Sequence, residues 1–162
     1  MVTQKVQEAL NKQLNLEMAS SYLYLAMAAH FEEQNLIGFA KWMRVQAKEE
    51  YDHAMKFFEY LILTNSKVDL MKIDAPKSSW KLAYDVFQDT YEHEKVVTAS
   101  IHKIYETAMS EKDYGTTSFL QWFITEQVEE ESTASYYVER LKMIGDNKSG
   151  LLYLDKEMGK RA

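Results

Sequence analysis

Glu17, Glu50 and His53 reappear 77 positions later as Glu94, Gln127 and Glu130, with the same internal spacings of 33 and three residues. The residue before Glu50 follows the same rule, because Glu49 maps onto Glu126. Carboxylates joined by an imidazole at i, i+3 on one helix face offer oxygen and nitrogen donors to a shared cation. Two such sets facing each other across a pseudo-two-fold axis make a carboxylate-rich box for two metal ions. Oxygen donors with a single imidazole suit iron or manganese, with zinc able to compete.

These donors meet only if helices bring them to one level. Steps of four and three place Leu10, Leu14, Glu17, Ser21, Tyr24, Ala28 and Phe31 on one stripe of a first helix over residues 3–33. A second helix over 37–64 carries Phe39, Met43, Gln46, Glu50, His53, Phe57 and Leu61 on its stripe, with Asn35 and Gly38 suited to the turn between. A helix rises about 1.5 Å per residue, so residues 33 apart across a hairpin both lie about 24 Å from its turn. The same arithmetic levels Glu94 with Gln127 and Glu130. Phe87, Tyr91, Glu94, Thr98, Ile101, Tyr105 and Ala108 stripe a third helix ending near 110. Leu120, Phe123, Gln127, Glu130, Ala134 and Val138 stripe a fourth, over 115–143. All four stripes are apolar at their ends and polar at the centre.

Residues 65–79 break the periodicity and hold the only proline, Pro76. A stretch of that length in a compact domain needs a task, and a crossover between parallel helices supplies one. Ser78 or Ser79 is then the expected cap of the third helix, with Trp80 at its start. Gly145-Asp146-Asn147 suits a left-handed C-cap followed by a new N-cap. A short segment at about 147–159 follows, with Leu151, Leu154 and Met158 on one side. It is too short to be stable alone, and a partner subunit is the expected cover for that strip. The fold class expected is all-α: one domain over 1–162, with a four-helix bundle at 3–144, one long crossover and a short fifth helix.

Composition narrows the function. There is no Cys, which excludes a disulfide framework, a thiolate zinc site and an iron–sulfur cluster. A net charge of −6 argues against nucleic acid and accords with cations. No apolar run of membrane-spanning length and no secretory leader is visible in the sequence, so a cytoplasmic protein is expected. No Lys or Arg stands on the four stripes, yet burying several unpaired carboxylates costs several kcal/mol per ion. Metal cations are the simplest source of the missing positive charge. A single Glu-x-x-His recurs by chance; the paired spacing and the central position on four helices carry the reading.

Other polar residues stay open at this level. Glu126, Glu129, Glu130 and Glu131 read either as a solvated charge run or, with Glu49, as an adjoining cation site. Tyr24 is either core packing with its hydroxyl bonded or a redox or hydrogen-bonding group beside the metals. Trp122 is equally undecided. The nine Met residues read as core filler, and His30, His93 and His102 as ordinary histidines.

The residues Glu17, Tyr24, Glu49-Glu50-Tyr51-Asp52-His53, Glu94 and Glu126-Gln127-Val128-Glu129-Glu130, with the long crossover and fifth helix, resemble a non-haem ferritin of the bacterial type over essentially the whole chain. The resemblance implies that Glu17, Glu50 and His53 hold a first ferroxidase iron. Glu50 would bridge to a second, held also by Glu94 and Glu130 with Gln127 close by. It further implies a third iron at Glu49, Glu126, Glu129 and the shared Glu130, and aromatic neighbours in Tyr24 and Trp122. Haem is not expected: the haem-binding bacterioferritins carry Met where Asp52 stands, and Glu and His at the positions of Gln127 and Glu130. The family implies Fe(II) oxidation by O2 or H2O2 and ferric mineral stored in a homo-oligomeric shell of 24 subunits. The rivals are a di-iron peroxidase or oxygenase, and a non-enzymatic acidic bundle scaffold. Because the repeat is imperfect, the two metal positions should differ, with the histidine-bearing one filling first.

Overall fold

A computed structural model describes residues 2–162; Met1 lies outside the described residues. Those residues form five helices and no strand: α1 Gln4–Glu33, α2 Ile37–Leu63, α3 Ala83–Ser110, α4 Tyr114–Ile144 and α5 Lys148–Met158. Short polar side chains start three of them by accepting orphan amide protons. Thr3 caps α1, Asp113 caps α4 at 3.0 Å from the Thr116 amide, and Asn147 caps α5 at 2.9 Å from the Gly150 amide. Asn35 and Lys112 turn the chain in the left-handed region, at φ 59° and 58°, closing α1–α2 and α3–α4 into antiparallel hairpins.

The hairpins pack with α1 against α3, while aromatic rings join α2 to α4: Phe57 meets Phe119 and Phe123 with centroids 5.4 and 4.3 Å apart. Two apolar clusters result. One gathers Tyr24, Phe31, Phe39, Met43, Phe87 and Val138; the other gathers Leu10, Leu14, Phe57, Leu61, Ile101 and Phe123. On every helix of the bundle the polar centre of the stripe falls between them. The fold therefore seals a polar layer between two greasy ones.

Residues 64–82 cross over along the outside of α1. Their hold on it is a ladder of side-chain amides. Asn11 donates to the Lys67 carbonyl at 2.9 Å and accepts from the Asp69 amide at 2.7 Å; Asn15 donates to the Asp69 carbonyl at 2.8 Å and accepts from the Met71 amide at 2.7 Å. Gln7 accepts from the Lys67 amide one turn earlier. Carboxamides spaced four apart thus act as a strand's partner and satisfy backbone groups that would otherwise be orphaned.

Three expectations need correction. Neither Ser78 nor Ser79 caps α3; the helix begins after Leu82, whose amide is taken by Asp85 at 3.0 Å. Trp80 sits before the helix because its buried indole needs an acceptor, which Asp89 supplies at 2.6 Å. Gly38 lies inside α2 rather than in the turn. It is glycine because α5 packs on it: a Cβ there would stand 1.7 Å from the Asp155 carbonyl oxygen. Leu154 and Met158 do not await a partner subunit, being 4% and 2% exposed against α2 and the main cluster. The exposed apolar side chains of α5 are Leu152 and Tyr153.

Candidate metal centre

The levelled helices gather two donor groups. Glu17, Glu50 and His53 each offer an atom within 4.8 Å of the others, and so do Glu50, Glu94 and Glu130. Glu50 belongs to both. It stands at the middle of α2, grouped with Glu17 of α1 in one set and with Glu94 of α3 and Glu130 of α4 in the other. A third group joins His53 to Glu126 and Glu130.

Amides hold these carboxylates in place. Gln13 donates to Glu17 at 2.7 Å and is itself held by the Ser100 hydroxyl. Gln46 donates to both Glu50, at 2.8 Å, and Glu130, at 3.0 Å. Gln127 donates to Glu94 at 3.1 Å, and the Tyr24 hydroxyl donates to the other Glu94 oxygen. His53 lies 3.5 Å from Glu50 and is wedged edge-on against Trp122 and Phe123. One buried polar atom is left over: Glu17 Oε2 has no partner, the only such side-chain atom among the described residues. A buried carboxylate oxygen without a partner fits a cation-binding position.

Burial dominates the electrostatics. It raises Glu17 well above the usual carboxylate range, with Glu50 adding to the effect. It also pushes Glu94 and Glu130 up to about 8, where the neighbouring Glu50 and, for Glu130, Glu94 act in the same sense. Burial would lower His53, but its contact with Glu50 and the charges of Glu130 and Glu126 outweigh that and raise it. Tyr24 is raised by burial and by Glu94, so its phenol stays protonated. Crowded carboxylates that hold protons only for want of charge fit a cation pair, which would displace those protons.

A family model described as Ferritin-like domain matches residues 7–144. This chain belongs to the ferritin family. A bacterial non-heme ferritin of Bacteroides fragilis is 38% identical to it over 161 residues, covering 99% of this chain and 100% of the relative. One from Campylobacter jejuni is 40% identical over 156 residues, covering 96% and 93%. Among solved structures, an open pore ferritin of the archaeon Archaeoglobus fulgidus superposes with a TM-score of 0.98 at 47% identity, over 99% of this chain and 98% of that one.

Within this ferritin-family chain the expected residues divide. Glu17, Glu50, His53, Glu94 and Glu130 converge, and Tyr24 takes the hydrogen-bonding role beside them. Gln127 lies beside them and turns its amide NH2 to Glu94 at 3.1 Å. The adjoining set of Glu49, Glu126, Glu129 and Glu130 is not gathered. Glu126 and Glu130 meet His53 instead, Glu129 is exposed, and Glu49 is drawn 2.5 Å from the Arg161 guanidinium. Arg161 brings a positive side chain close to the site although no Lys or Arg stands on the four stripes. It reaches in from beyond α5, off every stripe, so helical periodicity could not reveal it. Gln13 and Gln46 were visible only as polar residues in apolar company, and Gln13 stands off the stripe altogether.

Proposed function

We propose that this chain stores iron and oxidises it on the way in, binding two Fe(II) ions at the paired groups that share Glu50. The carrying observation is that shared carboxylate between two sealed donor sets, with Glu17 Oε2 left open to one of them. Glu17 and His53 would hold the first ion, Glu94 and Glu130 the second, and Glu50 would bridge. Each Fe(II) would give up one electron, so the pair would deliver two, reducing O2 to H2O2 or H2O2 to two waters with uptake of two protons. The carboxylates favour the higher charge of Fe(III). They are also flexible enough in denticity to release it. Glu126, beside His53 and Glu130, gives the oxidised ion a next ligand toward the less buried side of α4. Glu49 and Glu129 would complete a third iron position only after local rearrangement.

The whole chain acts as one ferritin-like domain in this reading, and copies of it close a shell of 24 around the mineral. A cytoplasmic location fits such storage; among the described residues no helix is long and apolar enough to cross a membrane. No haem is required. A groove of about 500 Å³ on the α2–α4 face, lined by Lys56, Tyr60, Phe119 and Trp122, contains none of the paired donors.

The test is anaerobic loading with Fe(II) followed by oxygen. Hundreds of irons retained per assembly support storage, whereas two per chain without mineral support a catalyst. Glu50→Ala should remain folded and assembled but lose rapid oxidation, because both ions lose their common ligand. Wild-type burst kinetics in that variant would sink the assignment.

A further inference from the structure

The tail beyond α5 ends in a side chain that is tied to the metal pair through a single amide. Arg161 lies over Trp42, its guanidinium carbon 4.3 Å from the ring centroid. One of its nitrogens donates to Gln46 Oε1 at 2.9 Å and the other to Glu49 at 2.5 Å. Gln46 then spends both protons of its NH2 on Glu50 and Glu130. Those two carboxylates come from different helices and both belong to the second donor group. Reversed, the Gln46 amide would turn its carbonyl oxygen on two carboxylates and its NH2 on a guanidinium. Only one orientation satisfies every partner: the two carboxylates hold the NH2 end and Arg161 holds the oxygen end.

The tail is held so that Arg161 can do this. Asp155 accepts from the Phe39 amide at 2.9 Å at the start of α2, and Lys41 donates to the Gly159 carbonyl at 2.9 Å. Gly38 and Gly159 let the two backbones meet, the Gly38 Cα lying 3.3 Å from where a Gly159 Cβ would be. From α5, through Arg161 and Gln46, a continuous chain of contacts therefore ends on Glu50 and Glu130.

We infer that Arg161, acting through Gln46, is a positioning residue for the second iron: it fixes the amide that spaces Glu130 from the shared Glu50, and so links docking of α5 to completion of the pair. The inference rests on the two-iron reading above. The first position, completed by Glu17 and His53, does not use this relay for its own ligands except at Glu50, so its affinity should be largely retained.

The experiment is anaerobic calorimetric titration of the metal-stripped, full-length assembly with Fe(II), resolving a first and a second binding step. Outer groups that orient ligands typically contribute about ten- to a hundredfold in metal affinity. Gln46→Leu should weaken the second step by that amount, and Arg161→Ala, one link further out, by about three- to tenfold. The first step and the melting temperature should be close to wild type in Arg161→Ala. The double variant should be no weaker than Gln46→Leu alone, since coupled groups are not additive. Arg161→Lys, which keeps the charge but loses the planar fork, should behave like Arg161→Ala. A wild-type second step in Arg161→Ala, an equal fall in both steps, additive losses, or full rescue by lysine would each overturn the relay. Two sites in the wild type with an unaltered Arg161→Ala profile would sink the relay alone. A wild-type protein that binds no pair of Fe(II) ions would sink the metal-centre reading and the relay with it.

Discussion

Glu94 and Glu130 give the metal-free site a pH signature that can be read without iron. Both are pushed up to about 8 from an ordinary value of 4.5, first by burial and then by a neighbouring carboxylate, Glu50 for Glu94 and Glu94 for Glu130. Between those values the folded chain keeps protons that the unfolded chain has released. Its stability is therefore greatest at the acid end of the window and declines as pH rises toward 8. The two carboxylates share one donor group, so a conservative count is one retained proton for the pair. One proton held across two pH units amounts to about 2.7 kcal/mol. In a domain of this size that is about 5–11 °C in Tm. The assay is scanning calorimetry of chelator-treated protein at pH 5.5 and 7.5, beside a Glu94→Gln/Glu130→Gln variant that keeps the shapes but cannot ionise. The wild type should lose about that much more Tm than the variant over the interval. Zn(II), used as a redox-inert probe, should stabilise the wild type more at pH 7.5 than at 5.5, because it binds the deprotonated ligands. Identical pH profiles for wild type and variant would refute the reasoning.

Two further predictions concern the frame around the site. Gly38→Ala puts a methyl 1.7 Å from the Asp155 carbonyl oxygen, so α5 must lift or shift; a loss of about 1–3 kcal/mol is expected. Thermal melts and limited trypsin cleavage at Lys148 or Lys156 would read it, and an unchanged cleavage rate would contradict it. Asn11→Ala removes two bonds to the crossover, one to Lys67 and one from Asp69. It should cost about 1–3 kcal/mol and speed hydrogen exchange of the Asp69 amide; an unchanged exchange rate there would contradict it.

Much of the site could be read from residue order because helices translate spacing into position. A fixed rise per residue puts Glu17 level with Glu50, and Glu94 level with Glu130, once the hairpins close. The apolar ends of the stripes likewise marked where the two hydrophobic clusters would form. Local rules failed where the deciding partner was distant. Trp80 left α3 because Asp89 offered its indole an acceptor, and Gly38 is explained only by a carbonyl of α5.

The sequence by itself determined the helices, the pairing of donor residues and their common level, since all of these follow from one repeating geometry along the chain. It also broke the symmetry, setting His53 against Glu130. The tertiary structure alone decided which carboxylates meet and which are diverted. Glu50 is common to both donor groups because side chains of four helices converge around it. Glu49, one residue earlier, faces about 100° away around the helix, where Arg161 takes it. Helical spacing assigns a side chain its level and direction; only the packing of remote segments assigns it a partner.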